Sequence, residues 1–321
     1  MTTRGNPPAG APCWADLWTS DVPAARRFYC ELLGWEALDP NPQFGGYFMF
    51  TQAGAPIAGA MGDMGEMRAD DRWKVYLASE DAAKAVLVAE SEGAQVVVPG
   101  MPIVDLGVQA VLVDPTGAPV GVWQPGTFSG SGILDEVGAP AWFELQTRDH
   151  DRAVAFYRKV FGWSTSELPG EHALTYTVVR DPSGEGELAG VMDASSLLAE
   201  GAPSRWSVYW RVGDVREAVA HARALGAAVV AGPEPSPYGW VAVHRPRIPE
   251  DEPAPRLHGC RRPAHLAQGQ LQGALRLRCR RADVGLLPAH PGGVVIGRRR
   301  LRRRPSRPAR RSSAGSVPPA T

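Results

Sequence analysis

Two stretches of the chain carry the same succession of apolar and polar positions. Residues 10–36 read GAPCWADLWTSDVPAARRFYCELLGWE, and residues 138–164 read GAPAWFELQTRDHDRAVAFYRKVFGWS. In each, a short run with alternate positions apolar (Cys13–Thr19, Ala141–Thr147) predicts a strand. A helical stripe follows: Ala25, Phe28, Tyr29, Leu32 and Leu33 in one copy, Ala153, Phe156, Tyr157, Val160 and Phe161 in the other. Ser20 or Asp21 can cap the first helix, Pro23 suits its first turn, and Gly34 and Gly162 read as stops. Gly10, Pro12, Trp14, Thr19, Asp21, Phe28, Tyr29, Gly34 and Trp35 recur as Gly138, Pro140, Trp142, Thr147, Asp149, Phe156, Tyr157, Gly162 and Trp163. A repeat of this length is a whole module rather than a short solenoid unit.

The copies continue in parallel. Strands are expected at 46–51 and 57–61, matched by 173–179 and 188–192. RWKVYL at 72–77 matches RWSVYW at 205–210. Second helices are expected near 81–92 and 215–225, and final strands of module one at 108–113 and 120–124. The Gly- and Ser-rich 126–138 reads as a linker. Module one thus spans 10–125 and module two 139–244. Several strands per helix argue for an α+β class.

Composition splits the chain. Residues 1–244 hold 13 Arg and 3 Lys against 30 acidic residues, a net charge of −14; residues 245–321 hold 18 Arg against 4 acidic residues, a net charge of +14. No apolar leader opens the sequence and no run approaches the roughly 18 apolar residues of a membrane span, so a cytoplasmic protein is expected. Four cysteines without a C-x-x-C pair make no disulfide framework and read as packing residues.

The strand followed by a D…FY…LGW helix (Asp21, Phe28, Tyr29, Leu33, Gly34, Trp35; again Asp149, Phe156, Tyr157, Phe161, Gly162, Trp163), the Asp114-Pro115-Thr116-Gly117 turn before a last strand, and the tandem duplication together resemble the vicinal oxygen chelate superfamily. That superfamily holds glyoxalases, bleomycin- and fosfomycin-resistance proteins and extradiol dioxygenases. The resemblance covers residues 10–243 and implies paired βαβββ modules whose curved sheets enclose a shared pocket.

In its metal-using members the resemblance implies a His, Gln or Glu at defined strand positions. Those positions fall here on Trp14 and Trp142, on Lys74 or Val75, on Ser207 or Val208, and on Gly121. None is a credible ligand: an indole offers no lone pair and a lysine is protonated. The expectation is therefore no metal and no cofactor. Asp16 and Glu144 share strand faces with Trp14 and Trp142, and with His172 they are the fallback metal ligands. The plainer reading has both carboxylates accepting hydrogen bonds from Arg side chains or backbone amides. His150 and His221 fall on helices and are read as solvent-facing.

Aromatic content is the stronger clue. An aromatic pocket with a few polar groups suits a flat organic ligand, and the pocket candidates are Trp14, Asp16, Trp18, Tyr76, Trp142, Glu144, Gln146 and Tyr209. Trp18 against Gln146 breaks the symmetry of the first strands. The first expectation is metal-independent binding of an aromatic or conjugated small molecule. The second is a metal-dependent lyase, isomerase or oxygenase of the same superfamily. The third is association with nucleic acid through the basic tail, where Arg298–Arg304 holds six arginines.

The tail departs from the pattern. A D-P-x-G turn and a closing strand are owed after Val243, but the sequence reads His244-Arg245-Pro246-Arg247-Ile248-Pro249. Module two is therefore expected to lack its final strand, and the open sheet edge to favour self-association. Residues 245–321 are expected to be disordered. A change of reading frame in a GC-rich gene accounts for the switch to Arg, Pro and Gly in mid-module, and so makes nucleic-acid binding the lesser reading.

Overall fold

A computed structural model describes residues 6–65, 69–168, 175–183, 186–236, 239–245 and 293–297. Module one runs β1 (Pro12–Trp18), α1 (Val22–Leu33), β2 (Glu36–Ala37), β3 (Phe48–Gln52), β4 (Ala55–Met61), β5 (Arg72–Ala78), α2 (Ala82–Ser91), β6 (Gln95–Ile103), β7 (Gly107–Val113) and β8 (Pro119–Pro125). Module two runs β9 (Pro140–Thr147), α3 (His150–Phe161), β10 (Ser164–Glu167), β11 (Tyr176–Arg180), β12 (Glu187–Asp193), β13 (Arg205–Arg211), α4 (Val215–Ala224), β14 (Ala228–Ser236), β15 (Gly239–Arg245) and β16 (Gly293–Gly297).

Each module builds one 8-stranded sheet, in the orders β2-β3-β4-β1-β5-β8-β7-β6 and β10-β11-β12-β9-β13-β16-β15-β14. The duplication is therefore deeper than the sequence indicated, since every module holds two strand–helix–strands halves joined through β1–β5 or β9–β13.

Local chemistry sets the helix ends. Asp21 caps α1 by accepting from the Ala24 amide at 2.9 Å, and Asp149 caps α3 from the Arg152 amide at 3.3 Å. Such caps contribute about 1 kcal/mol each. Gly34 and Gly162 end the two helices at φ 72° and 70°, a left-handed turn that a Cβ would strain.

Alternation along β1 and β5 sends Ala15, Leu17, Trp73, Val75 and Leu77 towards the helices; Phe143, Leu145, Trp206, Val208 and Trp210 do the same in module two. These side chains join one core that spans both modules. Trp210 stands edge-on to Trp35 at 4.8 Å between ring centroids and lies 5.0 Å from Trp73. A reciprocal pair of hydrogen bonds clasps the modules: the Trp35 indole donates to the Gly138 carbonyl at 2.6 Å, and the Trp163 indole to the Gly10 carbonyl at 2.8 Å. This explains why glycine and tryptophan recur in both copies. Gly10 has φ 78°, and a Cβ there would meet the Phe161 carbonyl oxygen at 2.8 Å.

The expectation that module two lacks its final strand is corrected. β16 fills the place that β8 holds in module one, pairing parallel with β13 (Tyr209 with Val294) and antiparallel with β15 (Val243 with Val294). Backbone complementarity is what the slot requires, since β13 and β15 each present an unpaired edge to it. The remainder of the Arg-rich tail lies outside the described residues.

Candidate functional site

The face of each sheet turned from the helices carries a carboxylate ringed by aromatic hydroxyls and indoles. In module one the β1–β5 register sets Trp14 opposite Tyr76, Asp16 opposite Lys74, and Trp18 opposite Arg72. Asp16 Oδ1 accepts from the Trp14 indole at 2.7 Å and from the Tyr47 hydroxyl at 2.8 Å, while Trp14 also donates to the Tyr47 oxygen at 2.9 Å. The Tyr76 hydroxyl is hydrogen-bonded to Asp16 as well and accepts from the Gln109 amide at 2.8 Å. Cys13, Trp123, Phe128 and Met49 pack around the set, with Phe128 edge-on to Trp14 at 4.9 Å. Lys74 Nζ lies 4.0 Å over the Trp18 ring.

Module two repeats the plan with a longer acid. Glu144 accepts from the Tyr209 hydroxyl at 2.7 Å, the Tyr176 hydroxyl at 3.0 Å and the Gln146 amide at 3.0 Å. The Trp142 indole donates to the Tyr176 oxygen at 2.9 Å, and Arg205 Nε donates to the Gln146 oxygen at 2.9 Å. Among the described residues, the hydrogen bonds of Asp16 come from module one and those of Glu144 from module two. The polar groups thus form two sets, one per sheet.

Burial raises the Asp16 carboxyl above its ordinary value, opposed by hydrogen bonds from Tyr47, Trp14 and Tyr76 and by the charge of Lys74. Burial likewise raises Glu144, opposed by Gln146, Tyr209 and Tyr176. Tyr47, Tyr76 and Tyr209 are held well above the phenol range, first by burial and then by the neighbouring carboxylate. Lys74 moves the other way: burial lowers its ammonium, against the charges of Asp70 and Asp16.

Glycines make room for these side chains. A Cβ on Gly59 would meet the Tyr47 oxygen at 1.9 Å, one on Gly190 the Tyr176 oxygen at 2.0 Å, and one on Gly121 the Tyr76 ring at 2.0 Å. At Gly121, where the superfamily resemblance calls for a metal-binding Glu, the tyrosine ring occupies the space. The residues present do not fit a divalent metal. Trp14 and Trp142 are donors only, and among the described residues no three His, Cys, Asp or Glu side chains lie together.

Of the eight sequence-derived pocket candidates, Trp14, Asp16 and Tyr76 come together in one set, and Trp142, Glu144, Gln146 and Tyr209 in the other. Trp18 joins the first through Lys74. His172 lies outside the described residues. The hydrogen bonds expected on the carboxylates from arginines or backbone amides come instead from tyrosines, an indole and a glutamine, because the alternation of β1 and β9 aims both acids at an aromatic face. His150, expected to face solvent, is buried on α3, with Nδ1 at 3.2 Å from Asp151. His221 is exposed as expected. Sequence reasoning did not assign Tyr47 and Tyr176 to the site. Each precedes or opens a strand in corresponding places of the repeat and faces a glycine (Gly59, Gly190), a pairing that could have been read.

The Glyoxalase/Bleomycin resistance protein/Dioxygenase superfamily model matches residues 139–252. CFP32 of Mycobacterium bovis, whose name calls it a glyoxylase, is 35% identical over 243 residues, covering 74% of this chain and 90% of that protein. The anthracycline biosynthesis protein DauV of Streptomyces sp. strain C5 is 32% identical over 247 residues, covering 72% and 87%. Among solved structures, the Mn(II)-bound glyoxalase of Novosphingobium aromaticivorans aligns with TM-score 0.50 at 15% identity over 74% of this chain and 78% of that one. A homoprotocatechuate 2,3-dioxygenase variant from Brevibacterium fuscum aligns with TM-score 0.50 at 14% identity over 74% and 68%. These two likenesses concern the fold alone. No helix among the described residues is long and apolar enough to cross a membrane. By fold, by the residues of its repeat and by its relatives, the chain belongs to the Glyoxalase/Bleomycin resistance protein/Dioxygenase superfamily.

Proposed function

We propose that the chain binds a small aromatic or conjugated molecule without a metal, each carboxylate–tyrosine set forming the polar floor of an aromatic site. The observation that carries this reading is the filling of the metal-donor positions: the Tyr76 ring lies over Gly121, and the Trp14 indole hydrogen-bonds Asp16. The buried Trp14, Tyr76 and Trp123 and the part-buried Trp18 and Tyr47 gather aromatic rings around phenol and carboxyl groups at fixed positions, the usual make-up of a small-molecule site. The name of the relative DauV supports the ligand class, since anthracyclines are fused-ring aromatic compounds.

Burial raises the pKa of both carboxyls, which suits them to take or give a proton. The aromatic face itself supports binding first. The test combines metal analysis with tryptophan-fluorescence titration of purified protein against a panel of polycyclic phenols and quinones. Quenching that survives chelator treatment and is lost in Trp14→Phe and Tyr76→Ala supports the reading. Stoichiometric Fe, Mn, Ni or Zn that disappears on Glu144→Gln overturns it in favour of a metal-dependent lyase, isomerase or oxygenase.

A further inference from the structure

The two polar sets differ in one residue that changes what they can do. Opposite Asp16 stands Lys74; opposite Glu144, at the equivalent register, stands Ser207. Directly paired residues on antiparallel strands hold their Cβ atoms about 4.5–5.5 Å apart. Lys74 is thus the cross-strand neighbour of a buried carboxyl, and its amine lies 4.0 Å over the Trp18 ring, on the strand face that Trp14 and Tyr76 share. Among the described residues it makes no ion pair within 4 Å and no hydrogen bond to an acid. The other two lysines of the chain differ. Lys84 is exposed on α2, and Lys159 is exposed and paired with Glu92 at 2.7 Å.

We infer that Lys74 forms an imine with the carbonyl group of an aromatic aldehyde or ketone held on the module-one face, with Asp16 serving the proton transfers. Lysine suits this role when it is desolvated, because only the neutral amine is a nucleophile. Burial of the Lys74 side chain favours that form.

The step balances without a redox partner. The amine lone pair attacks the carbonyl carbon, and one proton passes from the nitrogen to the carbonyl oxygen to give a neutral carbinolamine. The Asp16 carboxyl protonates the hydroxyl, the C–O bond breaks, water leaves, and the nitrogen lone pair forms the C=N bond of an iminium. The iminium then returns its remaining N–H proton to the Asp16 carboxylate, leaving the neutral imine. Module two lacks the amine, so this chemistry belongs to module one alone.

This inference rests on the aromatic-binding reading for its substrate class but not for its readout. Full-length protein is incubated with benzaldehyde and sodium cyanoborohydride at pH 6.5. The hydride donor reduces the imine to a benzylamine that survives digestion. Peptide mass spectrometry is expected to find the benzyl adduct on Lys74 ahead of Lys84 and Lys159, and to lose it in Lys74→Arg. Lys84→Arg is expected to leave Lys74 labelling unchanged. Benzyl alcohol, which has the ring but no carbonyl, is expected to slow labelling of Lys74 only. Should Lys74→Arg fail to fold by circular dichroism, the wild-type ratio of the three lysines and the competition still decide the matter. Equal labelling of all three lysines, or no labelling of Lys74, overturns the inference. If benzaldehyde and benzyl alcohol nonetheless quench tryptophan fluorescence, the binding reading stands while the imine falls; if neither quenches, both fall.

Discussion

Trp163→Phe tests the clasp that joins the modules. The substitution keeps an aromatic ring stacked on Tyr157, which now lies 4.6 Å from the Trp163 centroid at 14°, but removes the indole donor to the Gly10 carbonyl. Gly10 is buried, so its carbonyl oxygen is left without a partner. An unsatisfied buried acceptor costs about 1–3 kcal/mol. The smaller ring gives up a further increment, on the order of 1 kcal/mol of apolar burial. A total near 2–4 kcal/mol is expected, a large share of the roughly 5–15 kcal/mol that holds a typical domain folded. Trp163→Ala also empties the stacked space and should cost more, about 4–7 kcal/mol. Urea unfolding followed by far-UV circular dichroism measures both, and the loss of coupling should split one transition into two. The reasoning is refuted if Trp163→Phe lies within about 0.5 kcal/mol of wild type, the range of an inert surface change, while near-UV spectra show native packing.

Other outcomes follow from the same geometry. The pKa of Asp16 is higher in the folded chain than in the unfolded one, so its contribution favours folding below the unfolded pKa and is lost as pH rises through the folded pKa. Wild type should therefore gain stability relative to Asp16→Asn as pH falls towards 4, read by thermal unfolding at stepped pH; a difference independent of pH would contradict the burial argument. Gly121→Ala drives a Cβ into the Tyr76 ring and should cost about 1–3 kcal/mol, with much of it recovered in the Gly121→Ala/Tyr76→Ala double variant. Full cost in the double variant would show the clash to be elsewhere. Truncation after Arg245 should speed amide hydrogen exchange in β13 and β15 while leaving β1 and β5 protected; unchanged exchange would mean that β16 does not occupy the slot.

Much of this fold was legible because module periodicity is written twice. The α1 stripe of Ala25, Phe28, Tyr29 and Leu33 buries as its 3.6-residue spacing requires, and the caps follow from Asp21 and Asp149. β6 was missed for a physical reason. It lies at the edge of the sheet, carries Pro99, Gly100 and Pro102, and is mostly exposed, so neither alternation nor propensity marks it. β16 was missed because pairing with β13 and β15 is a long-range backbone match with no local signal. Within the site, Trp14, Asp16, Trp142 and Glu144 could be set on one face by parity alone. Tyr47 and Tyr176 needed more than parity: their equivalent places in the repeat were legible, but which side chain each one meets depends on how they lie over Gly59 and Gly190.

The order in which the strands leave the ribosome differs between the halves of this molecule. Module one has its closing strand within 125 residues, but module two must wait from residue 245 to residue 297 for its own, a further 52 residues. At about 5–20 residues per second, that is a delay of roughly 3–10 seconds. Through that interval a nascent chain exposes two unsatisfied ribbons of amides and carbonyls beside an already finished neighbour, so translation speed across this stretch sets how long chaperones must shield it.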